Sequence, residues 1–168
     1  MTHEELPSNG REKQAKARSL WMKGYQAQMN QQVDKAIRYY RDSLKLFPTA
    51  EAHTFLGWAY SFQGEYQEAI EECLKAIDLD PSFGNPFNDI GAYFIEQGKW
   101  EEAIPWLEKA TQAPRYEPRH YPHFNLGRVY LHLKKDDLAM EHLNKALELS
   151  PDYAPALQAI AQINSRFN

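Results

Sequence analysis

The 168-residue sequence holds one cysteine, Cys73, which excludes an internal disulfide. Its place among apolar helix positions suits a buried, reduced thiol rather than a reactive one. No apolar run nears the ~20 residues needed to span a bilayer. The opening stretch MTHEELPSNGREKQAK lacks the hydrophobic segment of a secretory leader. A cytoplasmic protein that does not engage a membrane is therefore expected. Glycines number only eight, and none builds a loop that would cradle phosphate. No catalytic constellation is visible, so neither enzymatic activity nor a cofactor is expected. His120 and His123 make an H-x-x-H spacing, but no companion Cys or paired acidic ligand accompanies them. His53 stands at the same place in its surroundings as His123, where other segments have Leu20, Phe87 and Leu157. Packing is the expected role of both histidines, and no metal is expected.

What the chain does have is a repeat. Leu56, Gly57, Tyr60, Gly64, Ala69, Cys73, Ala76 and Pro81 recur as Ile90, Gly91, Phe94, Gly98, Ala103, Leu107, Ala110 and Pro118. They recur again as Leu126, Gly127, Tyr130, Ala139, Leu143, Ala146 and Pro151, and upstream as Gly24, Ala36, Tyr40, Ser43 and Pro48. The marker glycines at 24, 57, 91 and 127 lie 33, 34 and 36 residues apart. On this order and period the chain resembles the tetratricopeptide repeat family over roughly residues 17 to 166. The resemblance implies an all-α, right-handed superhelix of four helix pairs with a C-terminal capping helix. The context ATQAPRYEPRHYPHFNLG also resembles bacterial pilus-assembly pilotins of the same repeat class.

The residues explain why such a pattern folds. Ala52, Phe55, Leu56, Ala59 and Tyr60 fall on one stripe of a first helix, and Ala69, Cys73 and Ala76 on a second. Gly57 and Ala69 lack bulk, so the two helices can approach closely. Gly64 can take the positive φ that ends the first helix, and Pro81 cannot continue the second. One hairpin cannot bury its own stripe, but stacked hairpins can.

Residues 1–9 are expected to be disordered, and residues 10–168 to form one repeat domain. Its units are placed at about 17–49, 50–83, 84–119 and 120–153, with the cap at 154–167. Helices are predicted from about Gly10 to Met29 and over 33–46, 50–63, 66–79, 84–97, 100–113, 120–133 and 136–149. In the cap, Leu157, Ile160 and Ala161 are read as the apolar stripe. Three departures stand out. Pro105 should either delay or kink its helix. The longer spacing before the fourth unit puts two extra residues in the loop 113–122, a plain surface insertion or a segment beside a binding face. Lys134 replaces a turn glycine, which implies a strained or rearranged turn.

Net charge is −4 but unevenly spread: residues 1–49 hold nine Lys or Arg against five acids, and residues 50–83 one Lys against seven acids. Glu65, Glu68, Glu71 and Glu72 read as a solvated outer face near a helix start. The basic first unit raises nucleic acid as an alternative partner, which the scatter of its cations disfavours.

The family resemblance implies a concave groove lined by first-helix residues. The positions it marks are Trp21 with Tyr25, Thr54 with Trp58, Asn88 with Ala92, Phe124 with Arg128, and Gln158 with Gln162. Gln28, Met29, Phe62, Ile95, Leu131 and His132 lie further round. Trp21, Tyr25, Trp58, Phe62, Asn88, Phe124, Asn125 and Arg128 are thus the candidate partner-binding residues. Large aromatics where a solvated surface would suffice suggest a strip for a protein or peptide. Repeat proteins that clamp acidic C-termini use Lys, Asn and Arg where this chain has Trp21, Tyr25 and Asp89, so that mode is disfavoured. The expected function is a non-catalytic interaction adaptor or scaffold. The alternatives are a nucleic-acid-associated factor, or a chaperone for a secretion or pilus-assembly component.

Overall fold

A computed structural model describes residues 8–166. The helices are α1 (Ser8–Met29), α2 (Val33–Leu46), α3 (Ala50–Phe62), α4 (Tyr66–Leu79), α5 (Asn85–Glu96), α6 (Trp100–Gln112), α7 (His120–His132), α8 (Asp136–Leu149) and α9 (Ala154–Asn164). The inner boundaries match the repeat reading to within a residue. Ser8 and Asn9, read as part of the tail, are helical. First-turn N–H groups need no intrahelical partner, so the polar SNG triplet can open the helix. Residues 1–7, the rest of that tail, lie outside the described residues.

The chain divides between Asp80 and Pro81 into two compact units. In the first, α1 packs on α2, α3 on α4, and α2 against α3. Its core gathers Ala27, Ala36, Ile37, Tyr40, Leu56 and Ala59, with Trp21 and Phe55 packed against it. In the second, α5 pairs with α6 and α7 with α8, and α9 closes on α8. Leu107, Leu126, Val129, Leu143 and Ala146 are fully buried there.

Close approach within each pair comes from the marker glycines. A Cβ on Gly91 would stand 2.5 Å from Leu107 Cδ2, and one on Gly127 would stand 2.7 Å from Leu143 Cδ2. On Gly57 it would meet the Ala69 carbonyl at 2.8 Å, and on Gly24 the Tyr40 ring at 2.5 Å. All four face the second helix of their own pair. Cys73 is fully buried on α4, as its position suggested.

The pairs also share one turn. Gln31, Gly64, Gly98 and Lys134 occupy the same place, with φ of 61°, 77°, 73° and 58°. In each pair the next N–H reaches back to a helix carbonyl: Gln32 to Ala27, Glu65 to Tyr60, Lys99 to Phe94 and Lys135 to Tyr130, at 2.9–3.1 Å. This is the Schellman closure, in which a left-handed residue lets two orphan carbonyls find donors. Lys134 keeps the turn and accepts the strained φ. Gln31 does the same in the first pair, where no glycine had drawn attention to it.

Pro105 sits inside α6, which starts at Trp100 rather than late. Its ring forgoes only the bond to the Glu101 carbonyl, on an exposed residue near the helix start.

The 113–122 insertion is tied down. Arg115 N–H donates to Ser82 O (3.0 Å) and Gly84 N–H to Arg115 O (2.8 Å), a short parallel bridge with Phe83. Tyr116 and Ala113 are buried against Gly84, where a Cβ would lie 2.6 Å from Tyr116 Cβ. Arg115 stacks over the Phe83 ring at 4.2 Å, and the Glu117–Pro118 peptide is cis.

The cap faces differ from the sequence reading. Ala156 and Ile163 are the buried residues of α9, with Ala159 and Ile160 packed on the same core. Leu157 is 47% exposed, and Ala161 is exposed too. The equivalent residues of the preceding unit, His123 and Gly127, face that unit's second helix. Among the described residues α9 has no such helix to cover this side.

Candidate functional site

In the first unit, α1 and α3 bring the predicted aromatics into one edge-to-face series. Trp21 lies 5.2 Å from Phe55 at 85°, Tyr25 5.6 Å from Phe55 at 82°, Phe55 5.8 Å from Trp58 at 78°, and Trp58 5.4 Å from Phe62 at 71°. Such geometry sets ring edges against ring faces and holds the side chains in place. Phe55, read as a core residue from its stripe, is the hub of the series. Tyr25 is 43% and Phe62 61% exposed, with Met22 (56%) and Met29 (49%) on the same helix as Tyr25. Trp21 and Trp58 are half-buried. Beside Trp21 opens a cavity of about 320 Å³ walled by Gln14, Ala17, Arg18, Ser43, Thr49 and Glu51. Two residues assigned to this face turn inward. Thr54 is buried and donates to its own helix at Ala50 O, and Gln28 is buried and accepts from the Tyr40 hydroxyl at 2.8 Å.

In the second unit, α5 and α7 carry a polar line. Asn125 Nδ2 donates to Asn88 Oδ1 at 3.0 Å, and Arg128 Nη1 to Asn125 Oδ1 at 3.3 Å. The other arm of Arg128 reaches Glu96 Oε1 at 3.5 Å. Both asparagines are buried, so their amides are spent largely on each other. Burial pushes the neighbouring Asp89 carboxyl up to about 7, against the lowering effect of the Asn88 amide. Phe124 is half-buried and stands edge-on to Tyr153 at 5.1 Å. Tyr153 also meets Tyr121 at 5.8 Å and His120 at 4.6 Å. This cluster was not foreseen, because Tyr153 precedes the cap and falls on no first-helix position. Ile95, assigned to the same surface, is buried core.

The histidines are placed by a slot between the two helices of each pair. In the second pair it holds His53 Nδ1 against Glu72 Oε2 at 2.5 Å, with Lys75 on Glu72 Oε1 at 2.6 Å. Burial alone would raise the Glu72 carboxyl, but the hydrogen bonds from His53 and Lys75 outweigh it and hold the group below its ordinary value. Glu72 is 8% exposed and so is not part of a solvated acidic face. The third pair fills the slot with Phe87 and Trp106, and Lys109 lies over the indole at 5.0 Å. The fourth fills it with His123 and His142, whose Nδ1 atoms are 3.3 Å apart. His123 thus faces His142, and His120 stacks elsewhere on Tyr121 at 4.3 Å. The H-x-x-H spacing does not form a pair. Among the described residues no three His, Cys, Asp or Glu side chains gather as a metal cage. Nor is any described helix long and apolar enough to cross a membrane.

Comparison with known proteins agrees with this architecture. The family description "Tetratricopeptide repeat" matches residues 18–50, 50–83 and 84–152. The type IV pilus assembly protein PilF of Pseudomonas aeruginosa is 34% identical over 111 residues, covering 66% of this chain and 44% of that protein. Small glutamine-rich tetratricopeptide repeat-containing protein 2 of Saccharomyces cerevisiae is 33% identical over 105 residues, covering 62% of this chain and 30% of that protein. The chain spans less than half the length of either. The solved structure of Pseudomonas aeruginosa PilF superposes with a TM-score of 0.86 at 26% identity, over 92% of this chain and 70% of that one. Repeated glycine contacts, four Schellman turns and matches that together span residues 18–152 lead to one conclusion: the chain belongs to the tetratricopeptide repeat family.

Proposed function

We propose that the chain is a non-catalytic adaptor that holds an extended or helical segment of a protein partner on its first-helix faces. The observation that carries this is the aromatic series of the first unit, which ends in exposed Tyr25 and Phe62 beside Met22 and Met29. Aromatics bury large areas for few rotors, so two or three can dominate an interface. Trp21, Tyr25, Trp58 and Phe62 form the apolar anchor of the first unit. Phe124 and Arg128 offer a ring and a cation on the second, while Asn88 and Asn125 hold Arg128 in place. Relatives carrying these repeats include a pilus assembly protein, which favours a role in building a multiprotein assembly. The basic residues of the first unit support nucleic-acid binding less well. Lys16 pairs with Glu12, Lys45 with Asp42, and Arg41 is held on the Tyr60 hydroxyl.

The test places a photo-crosslinking residue at Phe62 or, as control, at exposed Glu68, and identifies captured proteins. Capture from position 62 alone is expected. Tyr25→Ala and Phe62→Ala should each weaken the captured partner roughly thirtyfold, about 2 kcal/mol, with unchanged circular dichroism. Full affinity in both folded variants would refute the aromatic anchor. Retention on immobilised nucleic acid with a steep salt slope would favour the nucleic-acid reading instead.

A further inference from the structure

We propose that the cavity between α1 and α3 seats one aromatic side chain, a tyrosine or phenylalanine, of the partner segment. The proposal rests on the adaptor reading and adds the residue class that one position of the partner must carry. Repeat register shows what fills this place elsewhere in the chain. Thr49 is the N-cap residue of α3, and its counterpart Tyr153 is the N-cap residue of α9. Ala17, Arg18 and Trp21 on α1 correspond in register to His120, Tyr121 and Phe124 on α7. Between α7 and α9 the Tyr153 ring fills the junction, 4.6 Å from His120, 5.8 Å from Tyr121 and edge-on to Phe124 at 5.1 Å. Between α5 and α7 a tyrosine again abuts this register. Gly84 corresponds to Ala17, and a Cβ there would lie 2.6 Å from Tyr116 Cβ. Between α1 and α3, Thr49 supplies no ring, and the cavity of about 320 Å³ lies against Ala17, Arg18, Trp21 and Thr49.

The walls suit a ring. Ligand pockets commonly run from about 300 to 1,000 Å³, so this cavity has room for one large side chain and little more. Ser43 Oγ donates to Ala17 O at 2.7 Å, and Thr49 Oγ1 accepts from the Ala52 N–H at 3.1 Å, so both hydroxyls are already engaged. Arg18 and Glu51 bring opposite charges to the wall, which favours a neutral entrant over a charged one. Trp21 stands edge-on to Phe55 at 5.2 Å, so a ring entering beside it continues the aromatic series toward the start of α1. Aromatic pairs add to what area burial alone contributes. The Trp21 indole N–H is buried with no hydrogen-bond partner, an unused donor beside the cavity. Residues 1–7, MTHEELP, contain no Phe, Tyr or Trp, so the ring comes from outside that segment.

The experiment titrates N-acetyltyrosinamide, N-acetylphenylalaninamide and N-acetylleucinamide into the isotopically labelled full chain and follows the signals by NMR. The two aromatic amides should shift the Trp21 indole signal and the Ala17 and Thr49 amide signals, and spare Trp100 and Trp106. At the same concentration the leucine amide should leave all of them in place. Thr49→Tyr puts a ring at the chain's own N-cap position, as Tyr153 does, and should abolish the shifts. Thr49→Ser keeps the capping hydroxyl and should preserve them. No shift from either aromatic amide, equal shifts from the leucine amide, or shifts that persist in a folded Thr49→Tyr would overturn the pocket. So would shifts that appear only after residues 1–7 are removed, since they would assign the cavity to that segment. Absence of capture at position 62 with these shifts intact would sink the adaptor reading and leave the pocket standing. The wild-type contrast between aromatic and leucine amides decides the question even where a variant fails to fold.

Discussion

Gly91→Ala tests whether the marker glycine is there for contact. A Cβ at this position would stand 2.5 Å from Leu107 Cδ2, 2.6 Å from Leu107 Cγ and 3.5 Å from the Ala103 carbonyl. Because Cγ itself is in the way, rotating the terminal methyls cannot clear it. Leu107 is fully buried and has no free volume to enter. It must leave its rotamer, at about 0.5–1.5 kcal/mol, or the helices must part, with overpacking at about 1–3 kcal/mol. Replacing a mid-helix glycine by alanine returns about 1 kcal/mol of helix propensity. Parting the helices therefore nets a loss of up to about 2 kcal/mol. In urea this lowers the midpoint at an unchanged slope; in a thermal scan it lowers Tm by roughly 2–4 °C per kcal/mol. Leu107→Ala alone should cost about 2–5 kcal/mol by opening a cavity. The double variant should cost at least about 1 kcal/mol less than the two singles together, since the new methyl enters the vacated space. If Gly91→Ala melts at or above the wild type, or the two effects simply add, the close-contact account is wrong.

Acid should destabilise the fourth pair first. A His123 held near 4 resists a proton that the unfolded chain accepts from about pH 6.5 downward, so its contribution to stability rises with pH across that window and is lost on acidification. With the ring half-exposed, that loss between pH 7 and 4.5 should be about 1–2 kcal/mol. Asp89, held near 7, takes up its proton in the folded chain and adds stability on acidification over the same window, while His142 adds to the loss. The His123 part is therefore read as the difference between the wild-type and His123→Phe curves. Glu72 adds its own loss only below about pH 4.5, where a depressed carboxylate begins to protonate. At the turns, Lys134→Gly should raise the midpoint by up to about 1 kcal/mol, relief of the left-handed φ being partly offset by a freer unfolded chain. Gly98→Lys should lower it by about 1 kcal/mol. A lower midpoint for Lys134→Gly would mean the lysine side chain contributes more than its backbone costs.

Nearly all of the fold was legible because the repeat states each packing role four times. Gly24, Gly57, Gly91 and Gly127 announced the helix contacts by spacing alone, and the structure places each against its own partner helix. Misreadings fell where a residue's face depends on what lies beside it. Leu157 and Ala161 follow the repeat register, but that register turns them toward a second helix, and the cap buries Ala156 and Ile163 instead. Glu72 looked like one of four solvated acids at the N-cap and along the first half of α4. His53, 19 residues earlier, draws it inward.

The candidate surfaces were legible as residue types and less so as arrangements. Trp21, Tyr25, Trp58 and Phe62 could be picked out as large rings at first-helix positions. That Phe55 joins them into one series depends on how α1 and α3 lie together. Asn88 and Asn125 were chosen for their amides, and only their placement on neighbouring first helices commits those amides to each other.

By itself the sequence determined the family, the helix boundaries and the glycine contacts, because these rest on local periodicity and on side-chain size at fixed spacing. Only the tertiary structure decided which histidine faces which. The H-x-x-H spacing put His120 beside His123 within one helix. Packing α8 against α7 instead brings His142, 19 residues away, to His123. A helix fixes where its own residues point, but the partner across a slot comes from the neighbouring helix, and no spacing within a single helix encodes it.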